Sequence, residues 1–440
     1  MAHRLRDNAA MTSAVIPDAP GAMAVTAWAC PFCPLMCDGF TPVQAPGRGV
    51  ELPGAHCPRA TTALARFDPS ARSATPLVAG RPATFDAVIA HAATMLRASR
   101  QPLFGGLGTD VAGARALYSL ACATGAISDA AHGDALHTGL GATQDKGAFT
   151  TSLAEVRNRA DVIVCIGGLP GAGYPRWAER CGVGEALVPA RRIVVLGAAA
   201  DALPPAAVNG VPVDTVASAG DLFDSVAVLA ALLDGRSLSR PALPGLSALA
   251  ETLKAASYAV FVWTSSALPA NGGVLIEAIN RCVASLNRST RAAALPLGGG
   301  DGAGTVNAVF TWLSGLPLRS HAGPLGLEHE PLRFGTARLL ADGGADALLW
   351  IASYGTEPPP PATDLPLIVL GHPAFGESGR LPPHAVFIPV STPGVGSAGH
   401  AFRADGSVLM PLRPLFNDGL PTVAEVLRQL DAALREGAPA

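Results

Sequence analysis

Short apolar runs alternate with helical periods twice along this chain, and that alternation restricts the fold more than any other feature. In the first round Thr84 is placed to cap a helix through Arg97 that carries Phe85, Val88, Ile89, Ala92 and Leu96 on one face. An apolar run from Pro102 to Gly108 follows, then a helical pattern from Asp110 to Thr124. Runs at 161–166 and 192–196 read as buried strands, and Asp221 to Leu233 as a helix. The second round places strands at 258–263, 292–297, 347–351, 365–370 and 384–390, with helices at 271–286 and 306–313. Strands that alternate with helices pair in parallel and are covered on both faces. The expected fold is therefore α/β, with two related lobes, 76–240 and 241–391. They are expected to part in the Pro-, Ser- and Gly-rich stretch from Ser237 to Leu246. A chain of 440 residues has room for two or three such units.

The ends read differently. Residues 1–26 mix charges, Pro and Ala without an apolar core, as a flexible tail does and a signal peptide does not. Residues 27–75 form a small unit with half of the eight cysteines, joined to the first lobe by a Pro/Ser-rich link over 68–82. Residues 392–440 read as a glycine-rich loop, a β segment and a helix from Val423 to Arg435. Hydrophobic residues make up 49% of the chain and charged residues 15%, a balance that suits a protein embedded in an assembly. The net charge of −3 has no basic block within it, which excludes a nucleic-acid footprint. Lys146 and Lys254 are the only lysines, and neither stands in a phosphate-loop triplet. No run reaches the roughly 18 apolar residues that span a bilayer. The cysteines are accordingly expected in a reducing cytoplasm, as thiols or metal ligands.

Cys30, Cys33 and Cys37 are spaced C-x2-C-x3-C, and Cys57 follows in the same unit. Four thiolates from a short loop and a return strand can close around a [4Fe-4S] cube, and Pro31, Pro34, Gly39, Gly54 and Pro58 permit the turns this needs. A structural zinc ion held by the same four residues, or four unligated thiols, are the alternatives. Cys122, Cys165 and Cys282 lie in regular elements and are expected to pack in the core. Gly394, Gly396 and Gly399 fit G-x-G-x-x-G, but a turn and a strand follow where a dinucleotide site needs a helix. No paired carboxylates and no serine elbow stand at catalytic spacing.

Three segments carry a family resemblance: Leu153 through the Glu-Val-Arg-Asn-Arg-Ala-Asp run to Asp161 and on to Gly167-Gly168; Gly304-Thr-Val-Asn307 with Trp312; and Gly399-His-Ala-Phe-Arg-Ala-Asp-Gly406 through Arg413. Together with the N-terminal cysteines they resemble the B subunit of formylmethanofuran dehydrogenases and of the bacterial formyltransferase/hydrolase complexes. The resemblance implies a formate dehydrogenase-like, multi-lobed scaffold. It also implies that Gly106, Gly108, Gly167, Gly168 and Gly399 border a relict pterin cleft. In redox members a cysteine followed by a histidine, in the loop before the Glu-Val-Arg-Asn-Arg-Ala-Asp segment, ligates tungsten or molybdenum. Here that loop has His132 and His137, preceded by Ala131 and Leu136, and no cysteine stands between Cys122 and Cys165. A dithiolene-held metal needs that thiolate. The two histidines are then relict candidates, the tungsten or molybdenum pterin is expected to be absent, and the chain is expected to be a non-redox scaffold. Its implied partners are amidohydrolase-like A, C and formyltransferase D subunits in tetrahydromethanopterin-linked one-carbon metabolism. A catalytic tungsten or molybdenum subunit is the alternative, and an iron–sulfur electron carrier a third.

Overall fold

The computed structural model of the protein describes residues 23–24, 27–45, 49–54, 57–67, 74–199, 201–218, 220–239, 243–377 and 379–436. Most of the expected tail, 1–22 and 25–26, and residues 68–73 of the expected 68–82 link lie outside these residues. Met23–Ala24 is a short strand paired with Val43–Ala45, which joins these two residues to the cysteine unit expected from residue 27.

Two sheets carry the body. A six-stranded sheet has four neighbouring strands, Arg192–Leu196, Val162–Ile166, Ala259–Thr264 and Ala292–Leu297, in parallel register. Val211–Val216 extends it in parallel, and Ala207–Val208 closes that edge as an antiparallel hairpin. A nine-stranded sheet has Pro102–Gly108, Ala347–Ala352, Leu367–Gly371 and Val386–Pro389 as its parallel centre. On one side Ile127–Ser128 leads to the hairpin Ser320–Gly323/Gly326–His329; on the other lies the hairpin Leu77–Val78/Arg81–Pro82.

Within these strands alternate side chains serve alternate faces, as the period of two requires. Ile163, Cys165, Val260 and Val262 face the cysteine unit and Trp177. Val162, Val164, Phe261 and Trp263 face the helices Leu222–Leu233, Pro244–Ala255 and Gly272–Leu286. In the larger sheet Phe104, Leu349, Ile351 and Ile368 pack under Phe85–Ala98, Val111–Thr124, Ala303–Ser314 and the last helix, Val423–Glu436. Leu103, Leu348, Trp350 and Val369 face the other way, toward Leu339 and Phe375. The helix starts follow the sequence. Thr84 accepts a hydrogen bond from the Ala87 amide at 3.3 Å and Asp110 from the Gly113 amide at 2.9 Å.

The expected split at 240/241 does not follow the sheets. The six-stranded sheet uses 162–216 and 259–297, and the nine-stranded sheet uses 77–128 and 320–389. One sheet is thus nested within the chain path of the other. Alternation reveals which runs are strands, but not which of two sheets each joins. The Ser237–Leu246 stretch links two helices that pack together in the same layer. The loop expected around His132 and His137 is mostly helix, Gly133–Lys146, its pattern hidden by Gly133, Gly139 and Gly141.

Candidate functional site

A cavity of about 710 Å³ opens where the carboxyl ends of the six-stranded sheet meet the cysteine unit and the Gly133–Lys146 helix. The crevice beyond the strand ends is where open α/β sheets bind ligands. Trp263, Thr264 and Pro296 come from the ends of two neighbouring strands, and Leu169 and Gly171 from the loop after a third. His132, Leu136, Gly139 and Leu140 form the helical wall. The Gly298–Gly304 turn enters the helix Ala303–Ser314 along a further side, and Phe402 to Gly406 close the rim.

The three family-like segments converge on that rim. The Leu153 amide donates to Asp405 at 2.9 Å, and the Phe402 amide donates to the Thr305 hydroxyl at 3.0 Å. Arg403 binds Asp405 with its Nη2 at 2.6 Å from Oδ2, and the Asp405 side chain is fully buried. The late segment therefore ties the first helix of the Glu-Val-Arg-Asn-Arg-Ala-Asp motif to the start of the 303–314 helix. Arg191 braces that motif from behind. Its guanidinium donates to the carbonyls of Ala160 at 2.8 Å, Cys181 at 2.6 Å, Val156 at 3.2 Å and Arg157 at 2.8 Å.

The two histidines part company. His132 lines the cavity at the N-cap of the Gly133–Lys146 helix. His137 turns away and is buried, with its ring centroid 5.8 Å from that of His329. Burial lowers its pKa to about 4, and the nearby charges of Arg319 and His329 push the same way. Arg319 anchors this side: its Nε lies 3.0 Å from Asp129 and its Nη2 2.5 Å from Asp134, and its Nη1 donates to the Pro331 carbonyl at 2.6 Å. The other Asp129 oxygen accepts from the amide and hydroxyl of Thr336.

Close packing constrains some of the glycines expected to border a pterin cleft. A Cβ on Gly106, at φ +74°, would lie 2.7 Å from the Ile351 carbonyl and 2.8 Å from the Trp350 indole. Gly106 and Gly108 border a hollow of about 10 Å³ beside Trp350 and Tyr354. Gly399 backs onto the Asp110 carboxylate, Gly167 onto Leu222, and neither they nor Gly168 line the large cavity. Sequence reasoning missed Asp301, Arg59, Trp263 and Arg403 on its walls. Asp301 was findable, because Gly298-Gly-Gly-Asp-Gly302 lies between a strand and a helix. Asp301 adopts φ +52° and pairs with Arg59 at 3.3 Å. Burial raises its carboxyl above the ordinary range, and Arg59 and His132 pull it back.

Cys30, Cys33, Cys37 and Cys57 are all buried in one core with Trp28, Phe32 and Phe40. The Cys30 amide donates to the Cys37 carbonyl at 2.9 Å, which closes the loop. Burial raises the Cys30 thiol well above its usual value, and Cys33, Cys37 and Cys57 add to the rise; Cys37 reaches about 12 through burial and Cys33, against the pull of Arg180 and Arg176. Buried Nη1 of Arg176 and Nε of Arg180 have no hydrogen-bond partner. Thiol donors with partnerless cationic N–H groups nearby suit an anionic iron–sulfur group. Among the described residues, however, no group of three or more His, Cys, Asp or Glu is placed to hold a metal ion. Cys165 and Cys282 are core residues as expected, whereas Cys122 is exposed on its helix. Among the described residues no helix is long and apolar enough to cross a membrane.

No family model matches the chain. It is 34% identical over 281 residues to the B subunit of the formyltransferase/hydrolase complex Fhc of Methylorubrum extorquens, across 63% of this chain and 74% of that protein. It also superposes, at a TM-score of 0.72 and 29% identity, on a chain of the crystal structure of the formyltransferase/hydrolase complex (FhcABCD) from Methylorubrum extorquens in complex with methylofuran, covering 82% of this chain and 99% of that one. The scaffold is the formate dehydrogenase-like one expected from the sequence. Shared sequence over most of the relative and a shared fold over all of the structural neighbour lead to one conclusion: the chain belongs to the family of formyltransferase/hydrolase complex B subunits.

Proposed function

We propose that this chain is the B subunit of a cytoplasmic formyltransferase/hydrolase complex and serves it as a structural, non-redox member. Its partners are the other subunits of that complex, which carry formyl transfer and hydrolysis in one-carbon metabolism. The observation that carries the non-redox role is the wall presented by Ala131 to Leu140. It offers His132, Ala135, Leu136 and Leu140 to the cavity, and the sequence has no thiol between Cys122 and Cys165. A tungsten or molybdenum dithiolene would meet no protein sulfur there. Metal analysis of the purified complex tests this. Tungsten or molybdenum below about a tenth of an equivalent per chain is expected from that missing ligand, and a stoichiometric amount would overturn the reading. Assembly is tested by deleting this chain: the remaining subunits are expected to separate on size exclusion, and an intact remainder would refute the structural role.

We assign Cys30, Cys33, Cys37 and Cys57 to a [4Fe-4S] cluster, with Arg176 and Arg180 supplying N–H donors toward it. The support is the set of four buried thiols and, among the described residues, one buried guanidinium nitrogen without a hydrogen-bond partner on each of Arg176 and Arg180, whose other nitrogens pair with Glu179 and Asp38. About four irons per chain are expected for a cube. Zinc instead, or four titratable thiols without metal, would end this assignment.

A further inference from the structure

We propose that the large cavity is a binding site for an uncharged, aromatic small molecule, and that the Asp301–Arg59 pair excludes anionic ligands from it. This goes beyond the assembly role and stands on the chain alone. The volume of about 710 Å³ lies in the range of small-molecule sites. Every guanidinium on the wall is already neutralised: Arg59 by Asp301 at 3.3 Å, and Arg403 by Asp405 at 2.6 Å. No lysine lines it. A pyrophosphate or polycarboxylate entering here would lose its hydration without gaining a free counter-charge, which is strongly unfavourable.

Asp301 also occupies the turn where an anion would otherwise be favoured. It lies in the glycine-rich link from the strand Ala292–Leu297 to the 12-residue helix Ala303–Ser314. Backbone amides at such a turn attract phosphate. A carboxylate at that point reverses the preference, and its left-handed backbone holds it there. The remaining walls suit a flat, polar-edged aromatic. Phe402, Leu136, Leu140 and Leu169 offer apolar surface. The hydroxyls of Thr264, Ser265 and Ser266 follow the strand end and make no hydrogen bond within the described residues, so they are available to a ligand.

Titration of the purified full chain with N-phenyl-1-naphthylamine, an uncharged aromatic fluorophore, tests the site against guanosine diphosphate as the anionic comparator. Saturable binding of one fluorophore per chain is expected, with no binding of the nucleotide at equal concentration. A Cβ on Gly139 has open space around it. Gly139→Phe is therefore expected to fold, which circular dichroism checks, and to weaken the fluorophore at least about tenfold by filling the space. If that variant fails to fold, Thr143→Trp one turn along the same wall replaces it. Asn tolerates the left-handed backbone of Asp301. Asp301→Asn frees Arg59 and is expected to raise nucleotide affinity at least about tenfold with the fluorophore unaffected. Nucleotide binding to the wild type, fluorophore binding that survives the filled cavity, absent fluorophore binding, or an Asp301→Asn variant that gains nothing would each overturn the proposal.

Discussion

The strands Val162–Ile166 and Ala347–Ala352 begin alike and end differently. Each follows a buried alanine and an aspartate, Ala160-Asp161 and Ala345-Asp346. Each aspartate reaches sideways to the start of the neighbouring strand. Asp161 accepts from the amides of Ser257 and Tyr258 at 2.7 and 2.9 Å, and Asp346 from those of Arg100 and Gln101 at 2.8 and 3.0 Å. At the carboxyl ends the likeness stops. The six-stranded sheet opens onto the cavity, whereas Trp350 and Tyr354 leave only about 10 Å³ beyond the strands of the nine-stranded sheet. The same strand device thus supports two outcomes. The shared strand start therefore does not decide whether a cavity forms at the other end.

Removing the charge that anchors the nine-stranded side is expected to cost most. Arg319→Met leaves Asp129 buried and unpaired, with an expected loss of about 3–5 kcal/mol in denaturant unfolding. A loss below about 1 kcal/mol would show that the His137 side is not held by this pair. On the six-stranded side Arg191→Met strips four carbonyls of their donor, and about 2–3 kcal/mol is expected from the same measurement. Acid should separate the two sides next. His137 and His372 are both held near 4 against an ordinary 6.5, chiefly by burial, so the unfolded chain takes up their protons first. Their contribution is complete above pH 6.5 and is lost as pH falls from 6.5 toward 4. Hydrogen exchange at about pH 7 and about pH 5 is expected to loosen the elements around His137 and His372 before the six-stranded strands; the reverse order would contradict the assignment. The smallest effects belong to the matched aspartates. Asp161→Asn and Asp346→Asn should each cost about 1 kcal/mol, and strongly unequal losses would break the equivalence of the two strand starts.

Most regular elements were legible because burial leaves a period in the sequence. The strands at 162–166 and 192–196 and the helix Val111–Thr124 fall where the pattern put them. Assignment to sheets was not legible, since it depends on pairings such as Leu348 with Leu103, 245 positions apart in sequence. The hairpin Ser320–Gly323/Gly326–His329 has too few residues for a clear alternation. At the site, the cysteine unit and the three family-like segments could be read directly. The packing of Gly106 was not legible, because a glycine under an indole and a glycine under a phosphate look the same until Trp350 is placed. Other parts of the cavity wall were hidden, being drawn from Arg59, Trp263 and Asp301.

The nesting of one sheet inside the other has a consequence during synthesis. All strands of the six-stranded sheet have left the ribosome once residue 297 is clear of it. The other sheet must wait for Val386–Pro389, and its helical cover for Val423–Glu436, which seats against Phe85–Ala98. The earliest translated helix of the body therefore stays without this cover until Val423–Glu436 has been made, and through that interval its apolar stripe is open to non-native association.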